Sequence, residues 1–189
     1  LIIADVAGKG VQAALLVSSL HAYLSAYLES QMPLGELALR LNKVIYHASP
    51  DDKFITALIA LLSPGTGQIE FVNAGHNPAY VVRANKEIQE LPAKGLPLGM
   101  LDMDIPCDVD TVTIGVGERL LLYTDGITEA ANIHDVFYDT HAPLSGFVSK
   151  HCPDSSTQFV SDLITDIKKF TGSAPQNDAI TALYLHRLS

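Results

Sequence analysis

The chain has 189 residues, 48% of them hydrophobic, with 12 lysine and arginine side chains against 21 aspartate and glutamate and a formal net charge of −9. That length and apolar fraction support one substantial core, and no composition shift marks a linker, so a single domain is expected over 1–189. The acidic balance argues against a nucleic-acid partner held through phosphates, and Cys107 and Cys152 are too few for a disulfide framework and read as free thiols in a reducing, cytoplasmic setting.

Leu1 to Ala4 is a short apolar run that reads as a buried strand ending at Asp5, and Gly8 and Gly10 then turn the chain into a helix that starts near Val11. Such a turn aims backbone amides outward, and with Lys9 beside it could hold a phosphate or water. It is not a Walker loop, since the spacing differs and no Ser or Thr follows Lys9. Val11 to Leu28 is the most apolar stretch, but Gln12, Ser18, Ser19, His21 and Ser25 interrupt it, so a buried core helix is expected rather than a membrane span. The chain begins at Leu1 in strand character, with no initiator methionine and no signal-peptide pattern, from which an upstream extension of the natural protein is expected.

Pro33 can open a second helix, in which Leu34, Leu37, Ala38, Leu41, Val44 and Ile45 recur at helical spacing. Phe54 to Leu62 and Gln68 to Val72 flank Pro64-Gly65-Thr66-Gly67 as a predicted antiparallel hairpin, and Ala79 to Arg83 and Glu87 to Leu91 form a second around Ala84-Asn85-Lys86. Two successive hairpins indicate antiparallel sheets. Beyond the connection Lys94-Gly95-Leu96-Pro97-Leu98-Gly99, strands are expected over Cys107 to Ile114 and Arg119 to Thr124, the latter closed by Asp125. Ala131 to Pro153 lacks clear periodicity apart from a short helix near Leu144 to Lys150. Ser155 or Ser156 caps a helix with Phe159, Val160, Leu163, Ile164, Ile167 and Phe170 on one face, and Ala179 to His186 is a final strand.

Asp5, Asp125 and Asp178 each stand at one end of an apolar stretch. Singly, each is the kind of aspartate that serves a turn. Three carboxylates meeting at strand ends would repel unless divalent cations neutralised them, and an all-oxygen donor set suits Mg²⁺ or Mn²⁺. His76 sits in a Gly-His-Asn-Pro turn with no other histidine at ligand spacing, which favours a structural role. Glu129 reads as a solvated carboxylate at a helix start, and Asn177 as a turn residue or an orienting group for Asp178.

Asp-Val-Ala-Gly-Lys-Gly at 5–10, Asn-Ala-Gly-His-Asn-Pro at 73–78, Gly-Leu-Pro-Leu-Gly at 95–99, Leu-Tyr-Thr-Asp-Gly-Ile-Thr-Glu-Ala at 122–130 and Asn-Asp-Ala-Ile-Thr at 177–181 resemble, in order and spacing, the SpoIIE/RsbU branch of the PPM metal-dependent protein serine/threonine phosphatases. The resemblance implies an α+β fold, an α-β-β-α sandwich of two antiparallel sheets flanked by helices. It implies that Asp5 bridges two Mn²⁺ or Mg²⁺ ions, that the Val6 carbonyl binds one and that Asp125 and Asp178 bind the other. Phosphoserine or phosphothreonine would then be hydrolysed directly by a hydroxide shared between the ions. The implied substrate is a phosphorylated signalling protein, a STAS-type anti-sigma-factor antagonist.

The chain departs from that pattern in three places. The family's acidic motif on strands before the first island is absent, so the phosphatase domain is expected to lack its first strands and an upstream sensor or regulatory domain, with weak metal binding or inactivity as a consequence. Ala179 follows Asp178 where the family commonly has a second acidic or amide residue. Ala7 occupies the position of a histidine in the eukaryotic branch, which leaves the general acid unassigned. The competing expectation is a non-catalytic signalling module of the same fold that docks the partner without hydrolysing it.

Overall fold

The computed structural model describes residues 1–28, 32–49, 53–102, 104, 107–153 and 155–189. In chain order the elements are β1 (Ile2–Val6), α1 (Val11–Leu28), α2 (Leu34–Ala48), β2 (Ile55–Ser63), β3 (Gln68–Ala74), β4 (Ala79–Val82), β5 (Ile88–Leu91), β6 (Asp110–Thr113), β7 (Arg119–Tyr123), α3 (Asp125–Thr128), α4 (Tyr138–His141), α5 (Leu144–Lys150), α6 (Ser156–Thr171) and β8 (Ala182–His186). They make the two expected antiparallel sheets, and the chain divides into two compact units with one sheet each.

The first unit comprises Leu1–His76 and Ala93–Thr113. Its sheet runs in the order β1-β2-β3-β6, with every pairing antiparallel. The predicted hairpin forms between β2 and β3, where Gly67, at φ +73°, closes the turn by donating to the Ser63 carbonyl at 2.8 Å. Ile55, Ala57 and Ile59 alternate along β2 and enter one core with Leu34, Leu37, Ala38, Leu41 and Ile45, the buried stripe of α2. That stripe has the three- and four-residue spacing expected from the sequence.

The helix α1 differs from expectation. Leu16, Leu20 and Leu24 pack into the same core, yet Val11 is 77% and Leu15 62% exposed, so it is a half-exposed helix rather than a buried one. Its apolar residues surround the axis, and a helix packed along one side can bury only one stripe of them. The serines within it need no tertiary partners, because Ser18, Ser19 and Ser25 each donate to the carbonyl four residues back at 2.9 Å. Among the described residues no helix is long and apolar enough to cross a membrane.

The second unit comprises Asn77–Pro92 and Ile114–Ser189, with strand order β5-β4-β7-β8. Its core combines Val82, Leu121 and Tyr123 from the sheet with Leu144, Val148, Phe159, Leu163 and Ile167 from the helices. Phe159 of α6 stacks on Tyr184 of β8 with ring centroids 3.7 Å apart. Ser155 is the cap of α6, its hydroxyl accepting from the Gln158 N–H at 3.2 Å, while Ser156 is the first helical residue. The 131–153 region, irregular in sequence, holds α4 and α5. Tyr138 of α4 is buried and donates its hydroxyl to Asp166 at 2.6 Å, which with burial raises its pKa out of the ordinary tyrosine range. The last strand is shorter than predicted, since residues 179–181 serve the site described next instead of the ladder.

Candidate metal centre

In the second unit the buried run of β7 delivers Thr124 and Asp125 to the end of the sheet. Thr124 caps α3 and ties three backbone points together. Its N–H donates to the Thr181 carbonyl at 3.1 Å, its hydroxyl donates to the Ala179 carbonyl at 3.1 Å, and the Thr181 N–H donates back to that hydroxyl at 3.1 Å. The segment carrying Asp178 is thereby fixed against the residue before Asp125. Gly126 makes the approach possible, because a Cβ placed there would lie 2.2 Å from the Ala179 carbonyl oxygen.

Asp125 and Asp178 each offer a carboxylate oxygen within 4.8 Å of the other. The Asp178 side chain is oriented by the Ala179 N–H, which donates to its Oδ1 at 2.7 Å, and the Gln176 amide donates to its carbonyl at 2.8 Å. Asp125 Oδ1 is buried and, among the described residues, accepts no hydrogen bond. A buried carboxylate oxygen without a donor costs about 1–3 kcal/mol, and two carboxylates this close repel. Both features fit a hard divalent cation held by oxygens.

In the first unit Asp5 is the fourth residue of β1, opposite Thr56 of β2, and its Oδ1 accepts from the Val6 N–H at 3.0 Å. The ladder continues for one more bond, Ala7 N–H to the Phe54 carbonyl at 2.9 Å, before the chain turns at Gly8 and Gly10, both at positive φ. Thr56, beside Asp5, is hydrogen bonded through its hydroxyl to His76 Nδ1 at 2.8 Å. His76 is buried, and its N–H donates to Asn73 Oδ1 at 2.9 Å. Gly75 stands at φ +68° where a Cβ would fall 2.6 Å from the Pro97 ring, and Gly95 donates to the Asn73 carbonyl at 3.1 Å. Residues 73–76 and the 95–99 island thus brace one another within the first unit. Glu129 is exposed, and so is Asn177.

The group that sequence reasoning missed is Thr124. Its position between a buried strand and Asp-Gly was visible, but its three partners lie more than 50 residues away along the chain. Only the tertiary approach reveals them.

Two antiparallel sheets with helices, bearing a carboxylate pair at the end of β7, define a chain of the PP2C-like α+β class. The SiaA-PP2C domain of Pseudomonas aeruginosa has this fold, with a TM-score of 0.83 at 19% identity over 98% of this chain and 73% of that one. A structure of RsbX in complex with magnesium matches with a TM-score of 0.68 at 17% identity, over 97% of this chain and 78% of that one. Residues 1–188 match the model of the Stage II sporulation protein E (SpoIIE) family, and the chain belongs to that family. Phosphoserine phosphatase RsbU of Bacillus subtilis (strain 168) is 26% identical over 186 residues, covering 98% of this chain and 54% of RsbU. The chain therefore spans about half the length of that relative.

Proposed function

We propose that the chain is a metal-dependent protein serine/threonine phosphatase domain, with Asp5, Asp125 and Asp178 and the Val6 carbonyl holding two Mn²⁺ or Mg²⁺ ions. The observation that carries this reading is the buried Asp125 Oδ1, without a hydrogen-bond donor among the described residues, with the Asp178 carboxylate within 4.8 Å, in a member of the SpoIIE family. Bound divalent cations would supply an activated hydroxide and neutralise the charge that builds on the phosphoryl oxygens. The protein's own contribution is rigidity. Thr124 fixes the Ala179 carbonyl, the Ala179 N–H orients Asp178, and Gly126 lets the two backbones meet.

The substrate we infer is a phosphoserine or phosphothreonine on a cytosolic signalling partner of the STAS anti-sigma-factor antagonist type. The name of the relative RsbU supports a phosphoserine substrate. A second reading, a module that docks the partner without hydrolysing it, is favoured by Ala179, which supplies no side-chain oxygen beside Asp178.

The two readings are separated by turnover of an aryl phosphate during a Mn²⁺ titration, with Asp125→Asn as the control. Metal-dependent turnover that falls at least 100-fold in the variant is the expected result, the order of loss seen when a group stabilising transition-state charge is removed. Absence of turnover together with tight binding of the phosphorylated partner would establish the docking module instead.

A further inference from the structure

Lys53 precedes β2 and is placed by the register of the first sheet. Val6 pairs with Ile55 and the Ala7 N–H donates to the Phe54 carbonyl, so the next residue back, Lys53, lies alongside Gly8. The backbone there is fixed from the other side as well, since the Ser49 hydroxyl donates to the Lys53 carbonyl at 2.7 Å. The side chain then runs across the turn. A Cβ built on Gly8 would lie 2.5 Å from Lys53 Nζ, 3.0 Å from Cε and 3.3 Å from Cδ. Gly8 is glycine for its φ of +101°, and the Lys53 ammonium lies beside it.

The turn that Lys53 covers follows β1 directly, with Gly8 two residues beyond Val6 and three beyond Asp5. A phosphate monoester brings up to two negative charges to a site whose proposed ligands are three carboxylates, in a chain of net charge −9. Two divalent cations fall short of that sum, and a hydroxide widens the gap. A lysine held by its backbone and laid over the turn offers a localised positive charge for a phosphoryl oxygen. We propose that Lys53 is the phosphate-binding cation of the site, its ammonium donating to a non-bridging oxygen of the substrate phosphoryl group and of the product phosphate. This rests on the phosphatase reading above.

The test compares wild type with Lys53→Met and Lys53→Arg in the presence of Mn²⁺. It measures KM and kcat for p-nitrophenyl phosphate, the Kd for inorganic phosphate by calorimetry, and the Mn²⁺ concentration giving half-maximal turnover. Loss of one charge-assisted hydrogen bond should raise KM and the phosphate Kd by about 10- to 100-fold in the methionine variant. Arginine should restore both to within a few fold, with the Mn²⁺ dependence unmoved in either variant.

Unchanged phosphate affinity in Lys53→Met overturns the proposal, and if the Mn²⁺ dependence shifts instead, Lys53 serves as the countercharge of Asp5. Both results leave the phosphatase reading standing. A wild-type protein with no metal-dependent turnover sinks that reading and the Lys53 assignment together.

Discussion

Replacing Gly126 by alanine tests whether the close approach of two backbones sets the metal centre. Alanine is the better helix former, so α3 by itself would gain about 0.5–1 kcal/mol. The contact acts in the other direction. The new methyl would stand 2.2 Å from the Ala179 carbonyl oxygen and 2.8 Å from its carbon, where ordinary contact begins at 3.4 Å. The 179 segment, which is backbone and cannot rotate aside, has to retreat by about 1 Å. Forcing a methyl into such a site costs about 1–3 kcal/mol. Retreat also stretches the Thr124 hydroxyl bond to the same carbonyl, a further loss of about 1 kcal/mol. The clash therefore outweighs the propensity gain, and a net destabilisation of about 2 kcal/mol is expected.

Thermal or denaturant unfolding of the metal-free protein reads that number, as a fall in Tm of about 4–8 °C for a chain of this size. Mn²⁺ calorimetry reads the second consequence. Asp178 is one residue from the displaced carbonyl and is oriented by the Ala179 N–H, so its oxygen should move away from Asp125. Metal sites tolerate deviations of only about 0.2 Å in ligand distance, and an affinity loss of tenfold or more follows. A Gly126→Ala variant with wild-type Tm and wild-type Mn²⁺ affinity would refute the reasoning. Lost stability with unchanged affinity would remove Asp178 from the ligand set.

Glu118 makes a second prediction. Burial works against its charge, but hydrogen bonds from the Gly115 N–H at 2.8 Å, from Arg83 at 2.7 Å and from the Ala84 N–H hold its pKa below the ordinary 4.5. A depressed carboxylate contributes stability that is present above pH about 4.5 and is lost as the pH falls from there through the folded-state pKa. Glu118→Gln should cost about 1–2 kcal/mol at pH 7 and flatten that part of the acid unfolding curve, a result read by denaturant titration at several pH values. Cys107 makes a third: burial, aided by the charge of Asp108, pushes its thiol up from 9.0, so at pH 8 it should react with iodoacetamide more slowly than a free cysteine does.

Several elements were legible because their signals are local. The β2–β3 hairpin follows from two β-rich runs around Pro64–Gly67, and α6 follows from its apolar period and a serine cap. The helices α3 and α4 were not legible. At four residues each they are barely longer than one helical period, and they form where the chain turns at Asp125 and Tyr138. Residues 179–181 read as strand because Ala-Ile-Thr alternates acceptably, but the Ala179 carbonyl and Thr181 N–H go to the Thr124 side chain and the Ala179 N–H to Asp178, leaving, among the described residues, only the Thr181 carbonyl bonded to backbone, at Thr124. The error in α1 has a different source. Composition records how apolar a helix is, whereas burial depends on how many neighbours it has, and those are set by the rest of the fold.

Asp5 and Asp125 were visible as candidate ligands for a reason that is itself structural. An aspartate inside a strand must either face solvent or leave a buried charge, so its appearance at the end of an apolar run marks a strand nearing its end: β7 closes two residues before Asp125, whereas β1 runs one residue past Asp5, to Val6, rather than ending at it. Asp125 takes the costlier option, with one oxygen buried and without a donor among the described residues. Nearby groups are well supplied: the Asp125 carbonyl alone accepts from the Glu129 N–H at 2.7 Å and from the Thr128 hydroxyl at 3.2 Å. Among the described residues these donors go to the carbonyl and none reaches Oδ1. Under the proposed function, a divalent cation is the partner whose binding energy would more than offset the penalty of holding that oxygen without a donor.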